Sequence, residues 1–359
     1  MQRPKTTIFI ALLLPIQVIL VQFLSQKPHW IEFYYSTGIY PKVSRFFRII
    51  LGWFPFSVGD VLGLILLFFL VKSMFVLFKK RFQNFFPKLV KFIAILSIGY
   101  FCFYAFWSLN YFREPLAKNL DLEQSEYTTE ELVATTKKIV AELNKIHLQI
   151  TKNDTVAVIV PYSRSEIYKL APNGFKELSK TYPQLTYQTS SIKSSLISLF
   201  QSYSGTSGYL NPITGEAQVN YMIPKTGYPA TTCHEMAHQI GWAAENDANF
   251  VGFLASTAHK DVYFNYSGYR MAYNYCISQV YKRDKEVGKE IAKTVNKGVY
   301  KDYKATYAFW KHYENPVEPY FKKGYNSYLK ANNQSKGIQS YSYVVDLLIA
   351  YFKKTNTEI

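Results

Sequence analysis

The chain has 359 residues, is 48% hydrophobic and 18% aromatic, and carries a formal charge of +16. Twelve Lys or Arg against two acidic residues (Glu32 and Asp60) precede residue 113, and twenty-nine against twenty-three follow it. Most of the excess is therefore topological, and with no nucleic-acid motif beside it the charge speaks against a DNA or RNA partner.

Residues 7–25 form an uncharged apolar run behind Arg3 and Lys5. It is long and no small-x-small cleavage site follows, so it reads as an anchor helix and not as a cleaved signal peptide. A second run covers residues 58–78 and a third covers 89–110, each near the ~20 residues that cross a bilayer. Between these two runs lie Lys79, Lys80, Arg81, Lys88 and Lys91. The positive-inside rule places that loop and the N-terminus in the cytoplasm, and everything after about residue 110 outside. Residues 39–56, with Lys42, Arg45 and Arg48, are amphipathic and are expected on the membrane surface. A membrane domain, 1–112, thus precedes an extracytoplasmic domain, 113–359, long enough for one sizeable core.

That second domain reads as α+β and mostly helical, with a small sheet. Helical patterns cover residues 128–149, 165–180, 269–288, 299–312 and 339–352, and the β-branched run 155–160 predicts a strand. Residues 212–215 predict a turn and 216–222 a strand. Its Ala217, Gln218, Val219 and Asn220 either present a free edge to an extended peptide or belong to an ordinary hairpin. Cys102, Cys233 and Cys276 make no disulfide framework, and Cys233 reads as a small apolar core residue.

The most informative segment is residues 234–238, His-Glu-Met-Ala-His. Histidines at i and i+4 stack on one helix face and can converge on one metal ion, with Glu235 placed to take a proton from a metal-bound water. Apolar neighbours (Cys233, Met236, Ala237, Ile240) fit a buried helix better than an exposed one. A catalytic zinc needs a third ligand. Glu245 lies seven residues after His238, about 10 Å away if the helix continued, so the chain must turn back, with Gly241 ending the helix. Glu245 then opens a second helix and Asn249, one turn on, supports a ligand histidine; Asp247 is the alternative ligand. Two histidines and a carboxylate suit Zn2+, one per chain, though affinity order alone leaves copper and nickel open.

The chain resembles a bacterial group of membrane proteins of unknown function with three N-terminal membrane helices and a His-Glu-x-x-His domain. The resemblance rests on residues 107–113, 214–220, 234–241, 245–250, 266–269 and 340–341. A wider likeness, carried by Glu245, Ala248, Asn249 and Phe250, is to gluzincin-type zinc peptidases of the ImmA/IrrE kind, with Phe250 one place earlier than in that pattern. It implies a zincin-like domain with Glu245 as third ligand. Together these place the chain in the bacterial cytoplasmic membrane with its C-terminal domain on the periplasmic side. The expected function is zinc-dependent hydrolysis of peptide bonds in a cell-envelope polypeptide, with Glu235 as general base. Tyr266, Tyr269 and Tyr341 are candidates to stabilise the oxyanion. The alternative is a catalytically inactive metal-binding envelope interaction or assembly module.

Overall fold

A computed structural model describes residues 4–123, 126–334, 337 and 343–357. Helix α1 (Pro4–Ser25) leads through a π-helical stretch (Ile31–Ile39) into the amphipathic α2 (Tyr40–Leu51), then α3 (Val58–Lys79) and α4 (Phe85–Phe106). Of these, α1, α3 and α4 are long and apolar enough to cross a membrane, and they associate the chain with a bilayer. The third span ends four residues before the sequence pattern does. Trp107 leaves helical geometry (φ −157°), and Ser108–Phe112 tightens into a 3-10 turn that carries the chain sideways. Helices α1 and α4 pack together, whereas α3 keeps its apolar side chains, among them Leu66, Phe69 and Phe75, exposed.

Helix α5 (Thr129–Thr151) opens on a capping box, Thr128 Oγ1 accepting from the Glu131 amide at 3.2 Å and Glu131 accepting in return at 2.9 Å. Its buried stripe of Leu132, Ile139, Leu143 and Ile146 packs against a later helix. The strand predicted over 155–160 does not form. His147 Nε2 donates to the Val156 carbonyl at 2.9 Å and the Val158 amide donates to Asp302 at 3.3 Å, so side chains occupy the groups a ladder would use. The helix predicted over 165–180 is two, α6 (Arg164–Leu170) and α7 (Pro172–Leu178), with Pro172 starting the second.

Next come β1 (Ile192–Ser194), α8 (Ser198–Ser204), β2 (Gly208–Leu210) and β3 (Ala217–Val219). The sheet order is β1-β3-β2, with β3 parallel to β1 (Ile192 opposite Ala217) and antiparallel to β2 (Tyr209 opposite Gln218). This corrects the edge-strand expectation. Ala217, Gln218 and Val219 form the central strand, hydrogen-bonded on both sides, and with Asn220 they are fully buried. Short strands surround them, and the turn after β2 folds that strand over the side that would have been free.

The helical layer is α9 (Tyr228–Gln239), α10 (Glu245–Ala258), α11 (Val262–Arg283), α12 (Lys285–Lys293), α13 (Lys297–Tyr313), α14 (Glu318–Ala331) and α15 (Val344–Thr357). Asp284 accepts from the Glu286 and Val287 amides, both at 3.0 Å, and so splits the predicted 269–288 helix into α11 and α12. Helix α9 lies between the sheet and the pair α10 and α11, while α5 covers α11 from the far side. The first part of the predicted 339–352 helix lies outside the described residues. Its Val344, Val345, Leu348 and Ile349 are buried in the core.

Candidate metal centre

Helix α9 carries His234, Glu235 and His238, and α10 begins with Glu245. Between them Gly241 takes φ +90°, the left-handed conformation a side chain resists, and a Cβ there would lie 3.0 Å from the Tyr40 ring. The reversal brings Glu245 back over the histidines. Its Oε2 lies 3.3 Å from His234 Nε2 and its Oε1 3.8 Å from His238 Nε2. Ligand atoms ~2.0–2.1 Å from one tetrahedral zinc are themselves about 3.3 Å apart, so this donor set fits the ion.

Two of the donors, His238 and Glu245, are in the state a cation needs. His238 Nδ1 lies 2.7 Å from the Trp242 carbonyl, which takes its proton and leaves the Nε2 lone pair facing the site. Burial presses the His238 imidazole down to about 4, so it stays neutral. Burial alone would raise Glu245, but the hydrogen bond from His234 and the nearby histidines outweigh it and bring its carboxyl down to about 2. Burial likewise works against charge on His234, and the Glu245 hydrogen bond with the Glu235 and Glu245 charges overrides it, raising that imidazole. Glu235 Oε2 is buried without a hydrogen-bond partner, an orphaned acceptor that a water bound to a cation would satisfy.

Glu235 is a rival third donor, since with His234 and His238 it forms a cluster whose ligand atoms lie within 4.8 Å of one another. Glu245 is the better donor because each of its oxygens approaches a different Nε2. Burial pushes the Glu235 carboxyl up to about 8, which makes it the stronger base of the two carboxylates and the one suited to take up a proton. Asp247 does not reach the donors. It lines a separate cavity of about 350 Å³ with Arg113, accepts from Asn246 at 2.9 Å, and is raised to about 7 by burial. Asn249 stands beside His234 and Tyr275.

The donors face a cavity of about 740 Å³. One wall is β2, not β3. A Cβ at Gly208 would sit 2.5 Å from Glu235 Oε1, so the bare backbone of the edge strand runs against the carboxylate. Tyr275 and Tyr325 line the cavity, and Tyr325 donates to Glu245 Oε1 at 2.6 Å. The tyrosines expected from the sequence are elsewhere. Tyr266 is fully buried and donates to Asp302 at 2.6 Å, Tyr269 packs edge-on against Phe253, and Tyr341 lies outside the described residues. With 31 tyrosines in the chain, spacing alone carried no signal for Tyr325, which sits 80 residues beyond the glutamate it touches. Cys233 is buried and its thiol is pushed up to about 12, which leaves no thiolate for nucleophilic work.

The last turn of α9 ends in carbonyls that no helical amide can reach. The membrane-side segments supply their donors. Tyr40 and Ser44 of α2 donate to the Gln239 carbonyl at 3.1 and 2.9 Å, and Trp107 Nε1 donates to that of His238 at 3.2 Å. Arg113 donates to the Gly241 carbonyl at 3.0 Å, lies 3.6 Å over the Trp242 ring, and makes a two-pronged pair with Glu32 at 2.9 and 2.7 Å. The sheet is held in the same way. The Val58 and Gly59 amides at the start of α3 donate to Glu216 at 3.1 and 2.7 Å, and Asp60 accepts from Ser195, the Leu196 amide and Tyr209.

No curated protein and no solved structure matches the chain. A family model does, over residues 35–349, and it runs across the expected boundary at 112/113 as the packing does. By that match the chain belongs to the family described as Protein of unknown function (DUF3810).

Proposed function

We propose that this chain is a membrane-anchored, zinc-dependent metallopeptidase whose C-terminal domain is zincin-like and faces the periplasmic side of a bacterial cytoplasmic membrane. The observation that carries the reading is the convergence of His234 Nε2, His238 Nε2 and the Glu245 carboxylate, with two distances of 3.3 and 3.8 Å, on a site beside Glu235. These three residues would hold the ion. When bound, zinc lowers the pKa of a coordinated water toward ~7 and polarises the carbonyl it contacts.

The rest belongs to the chain. Glu235 accepts the proton of the attacking water and returns it to the departing amine. The free edge of β2 holds an extended peptide by main-chain hydrogen bonds, and the missing side chain at Gly208 brings that peptide close to Glu235. Tyr275 lines the cavity beside Asn249 and its phenol is the donor we assign to a developing oxyanion, since Tyr325 is committed to Glu245.

Elemental mass spectrometry of the full-length protein in detergent tests this. About one zinc per chain, lost in His238→Ala and retained in Glu235→Gln, is the expected result. A well-folded wild type without metal overturns the reading. Peptide hydrolysis that survives Glu235→Gln overturns the general-base mechanism, whereas a wild type that holds zinc and hydrolyses no peptide leaves a metal-binding module.

A further inference from the structure

The metal centre stands at the very end of the membrane-spanning helices. Trp107 is the first residue beyond α4, and it walls the cavity, bonds the His238 carbonyl and holds its ring 6.0 Å from the His238 imidazole. A 22-residue helix is about 33 Å long, which the ~30 Å hydrocarbon layer uses almost entirely, so Phe106 marks the lipid boundary.

The opposite wall is fixed to the same boundary. Asp60, in the first turn of α3, holds Tyr209 of the edge strand and the Leu196 amide. Immediately after it Leu199 and Phe200 of α8 are exposed, and Phe200 meets Phe321 of α14 edge-on at 5.2 Å, both lining the cavity mouth. The cavity is therefore suspended between the domain-side ends of α3 and α4, with an apolar lip. Beneath it α3 makes no substantial packing with α1 or α4 among the described residues.

We propose that the substrate is a membrane-tethered polypeptide, cut in the stretch directly outside its own apolar span. A soluble peptide needs neither a site at lipid height nor an apolar lip. A chain rising from the bilayer beside α3 gains both, and at ~3.3–3.6 Å per residue it reaches the metal within a few residues of the lipid boundary. Cleavage therefore falls within about ten residues of the end of a span. The inference rests on the peptidase reading above.

The test is terminal proteomics on membranes of cells carrying the full-length wild type or Glu235→Gln, with zinc measured in both purified proteins. New termini in the wild type alone, at least about tenfold enriched within ten residues of a span, support the proposal. Termini spread over soluble segments overturn it and keep the peptidase reading. No wild-type-specific termini, in proteins that hold zinc equally, overturn both. Phe200→Asp, which puts a charge on the lip, is expected to hold zinc and lose most of the span-proximal cleavage; undiminished cleavage there counts against the apolar lip as the docking element and overturns this placement of the substrate.

Discussion

The indole N–H of Trp107 donates to the main-chain carbonyl of His238, so the residue that ends the third apolar helix also fixes the end of the helix that carries His234 and His238. Trp107→Phe keeps an aromatic ring, though a smaller one, and removes that donor. The expected result is a zinc dissociation constant raised about tenfold with the protein still folded, read by chelator competition. Unchanged affinity would mean that Tyr40, which also reaches the His238 carbonyl, suffices.

Tyr325 acts on Glu245 directly. Its hydroxyl orients Glu245 from a helix far along the chain, and Tyr325→Phe is expected to weaken zinc by about 10–100-fold. The same competition assay checks it, with circular dichroism as the control for folding.

Arg113 joins three partners at once. Its side chain and that of Glu32 are 8% and 12% exposed, so Arg113→Ala leaves a poorly solvated carboxylate and is expected to cost about 3 kcal/mol. Arg113→Lys should restore little, because an ammonium offers neither the fork nor the flat face over Trp242. Denaturation of the detergent-solubilised protein measures both.

Gly208→Val inserts atoms where Glu235 Oε1 now sits. Zinc should be retained, because no ligand moves, while hydrolysis falls about a hundredfold from the displaced base. Loss of zinc in this variant would show that β2 also supports the ligand set.

His259 provides a pH signature away from the metal. Burial lowers its imidazole pKa, its Nδ1 accepts the Asp261 amide at 2.9 Å, and its ring stacks on Phe264. A base with a folded pKa below its unfolded value of 6.5 contributes stability above that pH and loses it as pH falls. Thermal unfolding should therefore weaken below about pH 6.5, and less steeply in His259→Gln.

Much of this was legible in the sequence where one local rule governs. Apolar length marked the three spans, capping chemistry marked Thr128 within one residue, and the spacing of His234, His238 and Glu245 with Gly241 between them predicted a returning chain. Long-range pairing was not legible. The β-branched run at 155–160 looks like a strand until Asp302 and His147 take its hydrogen bonds, and nothing near Ala217 discloses that β1 and β2 will flank it. Tyr266, Tyr269 and Tyr341 stand out in the sequence only because they lie in motif-bearing segments, whereas the position of Tyr266 in space is decided by Asp302.

The donors that close the end of α9 also set an order of events. Tyr40, Ser44, Trp107 and Arg113 all precede the helix they cap, so during synthesis they are in place before residues 228–245 emerge. A fragment beginning at residue 113 would reach that point with three of the four missing. The end of α9, and with it the seat of His238, is therefore completed only by segments from the membrane-side part of the chain.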